Sequence, residues 1–375
     1  MTTRVLIVGG GISGLTLAAA LRQAAIEVDL VEIRSDLGQQ PGVGLSLQGN
    51  CIAALARIGV AAECLKRGMP GNYLNLRRPD GTLIAHQPLL PMGGPAYPGT
   101  TGISRNDLHD ILLTAAYDAG ANIKLGTSFE SFNADAGGVN VRFTDASERR
   151  YDLLVGADGA YSATRANLFP DVKPTSCGQS VWRAGVPRPK GNFTTELHFG
   201  GPLGLVGICP ISSESAYLYI VEAADPKLRY ADEELVSIMT KKLEAYPGAM
   251  VRTCVANLPQ STAISYRPLE WLLLPSPWFQ GRVLLVGDAA HCNPPVLAQG
   301  AAMGIEDAVV LAELLTERST VDIALSKFEA RRFPRASLVV NNSVQLCEWE
   351  VKHLVGPQEV GRLMFETQKA LSQPF

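Results

Sequence analysis

Three short stretches of this chain carry residue types and spacings that can do chemistry. The first, residues 9–14, supplies the pattern G-x-G-x-x-G between an apolar run and a helix-forming segment. Gly9 permits a tight turn, Gly11 lets the backbone approach a pyrophosphate, and Gly14 lets a helix pack closely on a strand. Glu32 ends the next apolar strand, where its carboxylate can accept hydrogen bonds from a ribose. This stretch predicts a site for an adenine dinucleotide, whose phosphates face the helix N-terminus.

The second and third stretches are acidic residues that directly follow apolar runs. Asp158 comes after the run at 151–157, and Asp288 comes after the run at 282–287. An Asp-Gly pair is ordinarily only a turn. An acid at the end of a buried strand, however, lies where open α/β sheets bind ligands, beyond the carboxyl ends of the strands.

Two arginines and a glycine-rich loop are further candidates for ligand contact. Arg105 lies in the first turn of a helix that Ser104 is predicted to cap, where its charge opposes the helix dipole. A ligand explains that position better than solvent does, although a solvated charge is the alternative. Arg34, just after Glu32, can stack on an adenine ring or be a surface charge. The loop 39–50 indicates backbone close to something flat or to another backbone, or a plain connection.

Composition excludes several classes of protein. With 46% hydrophobic residues, 18% charged residues and a net charge of −3, the chain suits a globular protein and has no electrostatic case for nucleic acid or an anionic membrane. The seven cysteines are scattered without a C-x-x-C pair, which predicts reduced core thiols and no metal site. Strand residues from Arg4 leave no room for a signal peptide, and no apolar run has the length of a membrane span. We therefore expect a cytoplasmic protein.

The elements that must position these residues predict an α/β fold with an inserted α+β part. Residues 1–175 alternate short strands with helices and are expected to form the nucleotide-binding domain, with a Pro- and Gly-rich excursion at 70–100. Its strand at 121–126 is one of the parallel strands. Residues 276–375 return to that domain with a strand, a long helix at 301–316 and further C-terminal helices.

The middle of the chain has a different texture. Residues 176–275 contain alternating and aromatic strands, interrupted by one helix predicted at 232–246. We expect an antiparallel sheet with that helix on one face, inserted as a substrate-side domain.

The three stretches together resemble the fingerprints of one family, the class A flavin monooxygenases of the para-hydroxybenzoate hydroxylase-like group. The resemblance covers most of the chain. It departs at 298–303, which reads Ala-Gln-Gly-Ala-Ala-Met where many members read Gly-Gln-Gly-x-Asn. The residues that match the fingerprints in order are 9–14 with Glu32, then Asp158 and Gly159 of the Asp-Gly motif, then Gly287 and Asp288 of the Gly-Asp motif.

This resemblance implies a Rossmann-like domain with tightly bound FAD, which NADH or NADPH visits as a transient reductant. Asp288 would hold the ribitol hydroxyls, and the helix start near Gly300 would stabilise negative charge on the reduced flavin through backbone N–H groups. Leu45, Leu47 and Arg105 would line the flavin, and Asp158 would order a loop that serves FAD and nicotinamide access. The other residues expected on FAD are Gly9, Gly11, Ser13, Gly14, Glu32, Ile33, Arg34, Leu125, Gly159, Gly287, Ala301 and Ala302.

The implied reaction is hydroxylation of a small phenolic or hydroxylated, pyridine-type N-heteroaromatic acid by O2 through a flavin C4a-hydroperoxide. The protein would orient the substrate, exclude water and favour the ionised form. Tyr217 is favoured over Tyr219 because some family members have a sheet tyrosine that faces the substrate. We expect strand alternation to place only one of the two on that face, with a core aromatic as the alternative. His291 is a proton carrier or a structural residue, and Pro295 sets a carbonyl near the flavin or stiffens its loop.

Two other functions remain open on the sequence. One is a flavin oxidoreductase of the same fold that inserts no oxygen, and the other is a nucleotide-binding regulator without turnover. A hydrolase is disfavoured by the lack of a G-x-S-x-G elbow, and a catalytic metal by the lack of a His/Cys cluster. NADH and NADPH are both open as the reductant, and a homodimer is one of the open oligomeric states.

Overall fold

The structure is a computed structural model that describes residues 3–38, 42–261, 264–317 and 320–375. The first three residues of the glycine-rich loop predicted at 39–50 therefore lie outside the described residues. The strands are β1 (Arg4–Val8), β2 (Glu27–Glu32), β3 (Gly44–Gln48), β4 (Met69–Gly71), β5 (Tyr73–Arg77), β6 (Leu83–Pro88), β7 (Thr100–Ser104), β8 (Asn122–Leu125), β9 (Phe129–Asp135), β10 (Gly138–Phe143), β11 (Glu148–Tyr151), β12 (Leu153–Gly156), β13 (Thr175–Pro187), β14 (Thr195–His198), β15 (Leu205–Pro210), β16 (Ser215–Ala223), β17 (Ile264–Trp271), β18 (Phe279–Gln280) and β19 (Val283–Leu285).

The α-helices alternate with these strands in the first domain and dominate the C-terminal part. They are α1 (Ile12–Gln23), α2 (Gly49–Arg57), α3 (Ala61–Arg67), α4 (Arg105–Asp118), α5 (Ala163–Leu168), α6 (Leu235–Leu243), α7 (Ala249–Ala256), α8 (Asp288–His291), α9 (Gly300–Thr316), α10 (Val321–Lys352) and α11 (Pro357–Leu371).

The first sheet has the order β18-β19-β12-β1-β2-β8. Five of its strands run parallel, and only β18 pairs antiparallel at the edge. β1, β12 and β19 are almost wholly buried, as expected for parallel strands covered on both faces. Parallel strands end at one common edge of a sheet. The glycine turn after β1, Glu32 at the end of β2, the Asp-Gly motif after β12 and the Gly-Asp motif after β19 therefore meet there, which confirms the predicted fold class.

The second sheet has the order β17-β13-β16-β15-β14-β5-β6. Its strands pair antiparallel except for the parallel pair of β14 and β5. Because β5 and β6 come from the excursion predicted at 70–100, the sheet is not built from residues 176–275 alone. The excursion supplies one edge of the second sheet.

Strand alternation gives the second sheet two different faces. Trp182, Leu218 and Ile208 point to one face and are buried against α6 and α7 in a separate core. The helix predicted at 232–246 is shorter than expected, because α6 ends at Leu243 and the fully buried Tyr246 turns into this core. The opposite face carries Arg183 and Tyr219, and Tyr217 on the same face packs with Cys209 and Ile211 in a small buried cluster against Val43.

Serine side chains cap two helix starts, and the cap predicted at Ser104 is confirmed. The Ser104 side chain accepts a hydrogen bond from the Asp107 N–H at 2.9 Å, and the Ser162 side chain accepts one from the Arg165 N–H at 2.8 Å. Such caps satisfy N–H groups that have no partner within the helix.

Two small sheets complete the fold within the described residues. β3, β7 and β4 form one, and β9, β10 and β11 form the other. Across the described ranges, none of the helices combines the length and apolarity needed to cross a bilayer. The same ranges contain no cluster of three or more His, Cys, Asp or Glu side chains that could hold a metal ion.

Candidate active site

The glycine turn after β1 is shaped by close contacts on one side and open space on the other. Gly9 has a φ of +108°, and a Cβ at Gly14 would lie 2.0 Å from the Gly9 carbonyl oxygen. Both positions therefore require glycine for the fold itself. A Cβ at Gly11 or at Gly159 would meet no atom within 4 Å. These two glycines border space that a ligand can enter.

Glu32 organises the end of β2. Its Oε2 accepts a hydrogen bond from the Gly10 N–H at 2.7 Å, and its Oε1 accepts one from the Arg34 N–H at 2.9 Å. A carboxylate oxygen has a second lone pair, so Glu32 can still accept from a ribose hydroxyl. The neighbouring Ile33 is 74% exposed. Leu125, at the end of β8, lines a cavity of about 270 Å³ beside this edge.

The Asp-Gly loop is ordered by its own acid. The Oδ2 of Asp158 accepts the backbone N–H and the hydroxyl of Thr164, both at 2.9 Å. The buried guanidinium of Arg165 donates to the carbonyls of Ala160 at 2.6 Å and Ala289 at 3.0 Å. Arg165 thereby ties the Asp-Gly loop to α8 of the Gly-Asp motif, a link between distant segments that no local pattern predicts.

Asp288 and Arg105 line an internal cleft. Burial raises the pKa of Asp288, while His291 and Arg105 oppose that rise. Burial likewise lowers the pKa of Arg105, and the Asp288 charge opposes it. The protein surrounds Asp288, yet its side chain is exposed to water-accessible space. A group that is both enclosed and accessible faces a cleft, so charge on these two side chains is available to a ligand.

His291 lies behind this cleft. It is 1% exposed, and its Nε2 lies 2.6 Å from the Oδ2 of Asp307, with its ring 4.9 Å from the ring of Trp278. This position favours the structural alternative for His291. Pro295 is exposed and begins a short turn in which its carbonyl already accepts the Ala298 N–H at 2.9 Å.

The start of α9 points at the same edge. Gly300 and Ala301 are partly accessible, Ala302 is buried, and the first turn contains no acidic residue. The first N–H groups of a helix have no partner within it, and the helix dipole adds partial positive charge there. This turn can therefore bind an anionic or electron-rich group through its backbone.

Three further residues that were predicted to contact FAD differ in the groups that can face a ligand. Leu45 is half-buried, whereas the side chain of Leu47 is 1% exposed and belongs to the main core, so only its backbone can border a ligand. Ser13 packs its hydroxyl between two close backbones, since a Cβ at Gly287 or Gly304 would lie 2.5 or 2.1 Å from its Oγ. The Ser13 side chain thus joins α1 to the Gly-Asp loop and α9.

The two sheet tyrosines lie on the same face. The expectation that only one of Tyr217 and Tyr219 would face the site is wrong, because residues two apart in a strand point to the same side. Their ring centroids are 5.2 Å apart. The Tyr217 side chain lies beside Ser46 and Cys209, and burial raises the pKa of its hydroxyl. A tyrosine that stays protonated can donate a hydrogen bond to an anion.

Arg183 is a functional candidate that no motif of the sequence singles out. It lies on β13 directly opposite Tyr219 in the register, on the face that looks away from Trp182. Burial lowers the pKa of Arg183, and Arg105 lowers it further. No carboxylate among the described residues forms a salt bridge with it. The available signal was a single arginine between apolar residues in the stretch Val-Trp-Arg-Ala-Gly.

Comparisons with known proteins agree with this architecture. A family model described as "FAD binding domain" matches residues 2–343. The chain is 31% identical over 361 residues to "Putative FAD-dependent monooxygenase YetM" of Bacillus subtilis, covering 95% of this chain and 96% of that protein. It is also 31% identical over 357 residues to 2-heptyl-3-hydroxy-4(1H)-quinolone synthase of Pseudomonas aeruginosa, covering 92% of this chain and 90% of that protein.

A solved structure shows the same fold. Klebsiella pneumoniae HpxO complexed with FAD and uric acid superposes with a TM-score of 0.84 at 23% identity, over 99% of this chain and 93% of that chain. The family match spans most of the sequence, and the relatives match over nearly their whole length. The chain therefore belongs to the FAD binding domain family and is an FAD-dependent monooxygenase of the aromatic hydroxylase type.

Proposed function

We propose that the protein hydroxylates a small anionic aromatic compound, either a phenolic acid or a hydroxylated pyridine-type acid, with NADH or NADPH as the transient reductant and O2 as co-substrate. The observation that carries this proposal is Arg183. Its guanidinium is enclosed in the cleft and forms no salt bridge with a carboxylate of the described residues.

Arg183 is half-buried, so its guanidinium loses part of its hydration, and no carboxylate of the described residues replaces it. A substrate carboxylate or phenolate would restore that balance, and a planar guanidinium can bind it with two parallel hydrogen bonds. A positive charge that favours the ionised form of the substrate hydroxyl also raises the electron density of the substrate ring. Arg183 thus supports both substrate binding and the reactivity that hydroxylation requires.

The names of two similar proteins support a ring that contains nitrogen. The quinolone synthase makes a hydroxylated quinolone by its name, and the HpxO structure contains uric acid. Both compounds are N-heteroaromatic or closely related ring systems. They support the pyridine-type alternative for the substrate of this chain.

The described residues fit FAD as the cofactor of this reaction. Gly11 leaves space for a pyrophosphate, Glu32 keeps lone pairs for a ribose, and Asp288 faces the cleft with its carboxylate. When bound, FAD supplies the redox and oxygen-transfer chemistry. In this proposal Arg183 holds the substrate anion, and Tyr217 donates a hydrogen bond to its hydroxyl oxygen.

Replacing Asp288 by Asn is expected to weaken FAD binding roughly 10- to 100-fold, the range for loss of a charged hydrogen bond. The same change should stabilise the apoprotein. A carboxylate whose folded pKa is raised contributes stability at low pH and loses it as pH rises through that pKa. The gain in Tm of Asp288→Asn over wild type should therefore grow from acidic to neutral pH.

FAD titration of the apoproteins and thermal unfolding across that pH range measure both effects. Asp171→Asn, at an exposed acid in the same domain, is the matched control and should change neither. Full FAD occupancy in Asp288→Asn would contradict the assigned role.

Replacing Tyr217 by Phe is expected to slow hydroxylation by about tenfold or more while FAD stays bound, since one hydrogen bond to the reacting oxygen is lost. Tyr219→Phe is the matched comparison on the same face and should have the smaller effect. Tyr217 contacts Ser46 on β3, next to Leu45, and is thus nearer the predicted flavin. Single-turnover rates of hydroxylation distinguish the two variants. A larger loss of rate in Tyr219→Phe would assign the hydrogen bond to Tyr219.

A substrate panel tests the proposed function itself. Hydroxypyridine and hydroxybenzoate acids should stimulate oxidation of NADH or NADPH together with O2 uptake, and their neutral amides or esters should do so at least roughly tenfold less. Stimulated oxidation without O2 uptake would favour the oxidoreductase alternative. A protein that holds FAD but turns over with no compound would favour the regulatory alternative. Equal stimulation by acids and neutral analogues would remove the role of Arg183.

A further inference from the structure

Helix α9 carries two adjacent acids that are fully buried, Glu306 and Asp307. Arg332 of α10 lies between them, with its Nε donating to Asp307 and its Nη1 donating to Glu306, both at 2.7 Å. Arg335 donates to the two oxygens of Glu306 at 2.7 and 3.0 Å. The four charges balance. Buried ion pairs of this kind often contribute no more stability than apolar residues of the same volume, so stability alone does not account for the cluster.

The Asp307 side of the cluster holds the Gly-Asp loop. Its Oδ2 accepts the Gly287 N–H at 2.9 Å and the Nε2–H of His291 at 2.6 Å. Burial alone would raise the pKa of Asp307, but His291, Arg332 and the Gly287 N–H hold it at about 2. Asp307 is therefore ionised at neutral pH, and it fixes both ends of the short segment that contains Asp288.

The Glu306 side of the cluster holds the start of α9. Asn50, in the first turn of α2, donates to Glu306 at 2.8 Å and to the Gln299 side chain at 3.0 Å. The Gln299 amide donates back to Asn50 at 3.1 Å. Gln299 is the residue immediately before α9, and α2 directly follows β3. Glu306 thereby fixes the first turn of α9 relative to the strand that carries Leu45.

We propose that Glu306 and Asp307 are positioning residues for the flavin, which together set the Gly-Asp loop and the start of α9 in one rigid arrangement. Neither side chain reaches the cleft, since both are fully buried. Each acts through backbone or side-chain groups that border it. The proposal rests on FAD binding at this edge and not on the substrate class or on Arg183.

The position of the first turn of α9 is expected to affect the midpoint potential of the bound flavin. The first turn of α9 offers N–H groups and partial positive charge, which stabilise an anionic reduced flavin more than the neutral oxidised form. A displaced first turn would lose part of that preference. The midpoint potential of the bound flavin should then become more negative, in addition to any loss of FAD affinity.

The test compares apoprotein and FAD-loaded forms of Asp307→Asn and Glu306→Gln with Glu196→Gln. Glu196 is a matched control, because it is 1% exposed and bonded to Asn75 and Arg77 in the other sheet. Both α9 variants should bind FAD roughly tenfold or more weakly and show a more negative potential. Glu196→Gln should lower the Tm and leave FAD affinity and potential unchanged. All three readouts are taken without substrate, so they are independent of the proposed hydroxylation.

His291→Gln covers the case in which the α9 variants do not fold, because it leaves the contacts of Arg332 with both acids intact. It should also weaken FAD binding and lower the potential, by smaller amounts. If the folded variants lose only Tm, as the control does, with FAD affinity and potential at wild-type values, the cluster is structural and the proposal is wrong. Wild-type FAD affinity and potential in His291→Gln would overturn the Asp307 part in the same way.

Discussion

Gly11→Ala is expected to fold normally and bind FAD about 100-fold more weakly, whereas Gly14→Ala is expected to lose most of its folding stability. A Cβ at Gly14 would lie 2.0 Å from the Gly9 carbonyl oxygen, so α1 or β1 must shift. Overpacking of this kind costs about 3 kcal/mol or more. A Cβ at Gly11 meets no protein atom within 4 Å, and its φ of −79° suits alanine. The apoprotein should keep its stability or gain a few tenths of a kcal/mol.

The loss in Gly11→Ala is specific to the cofactor, because a methyl group there occupies the space into which a pyrophosphate must come close. Chemical denaturation of the apoproteins and FAD titration by fluorescence measure the two effects separately. Each variant serves as the control for the other. Wild-type FAD affinity in Gly11→Ala would show that the open space after β1 is not the pyrophosphate site.

Arg183→Gln is expected to lower kcat/KM for an acidic substrate by about 10²- to 10³-fold, the effect of removing a charge-assisted contact made in an enclosed site. FAD affinity should stay at the wild-type value, since Arg183 lies on the second sheet. The free energy of unfolding should not fall and should rise slightly, because an enclosed cation without a salt bridge is removed.

Arg252→Gln is the matched control for this variant. Arg252 is exposed on α7, which packs against the opposite face of the same sheet, so its replacement should change neither kinetics nor stability. Steady-state kinetics with an acid and its neutral amide complete the design. Equal loss for the acid and the amide would mean that Arg183 does not bind the substrate anion.

The nucleotide-binding half of the molecule could be predicted from the sequence because its information is local. The turn at 9–14, the capped helix after Ser104 and the acids after β12 and β19 each read directly from neighbouring residues. Parallel strands then bring their carboxyl ends to one edge whatever the intervening sequence is. For this reason the same edge carries Asp158, Asp288 and Glu32.

The second sheet could be predicted less well because its contacts are between distant segments. The pairing of β14 with β5 joins residues more than a hundred positions apart, and no local pattern in the excursion at 70–100 predicts it. The shared face of Tyr217 and Tyr219 could be predicted, since side chains two residues apart in a strand point to the same side. The burial of Glu306 and Asp307 could not be predicted. Two adjacent acids on a helix normally indicate a solvated face, and the arginine partners of these two lie on α10.

In the proposed reaction, the protein transfers one oxygen atom from O2 to an anionic aromatic ring. The most direct test is turnover of the FAD-loaded protein with its best acid from the panel under oxygen-18 gas, followed by mass spectrometry of the product. We expect one oxygen-18 atom per product molecule and one product per NADH or NADPH oxidised. A product without oxygen-18, or nicotinamide oxidation that yields only hydrogen peroxide with every acid, would contradict it.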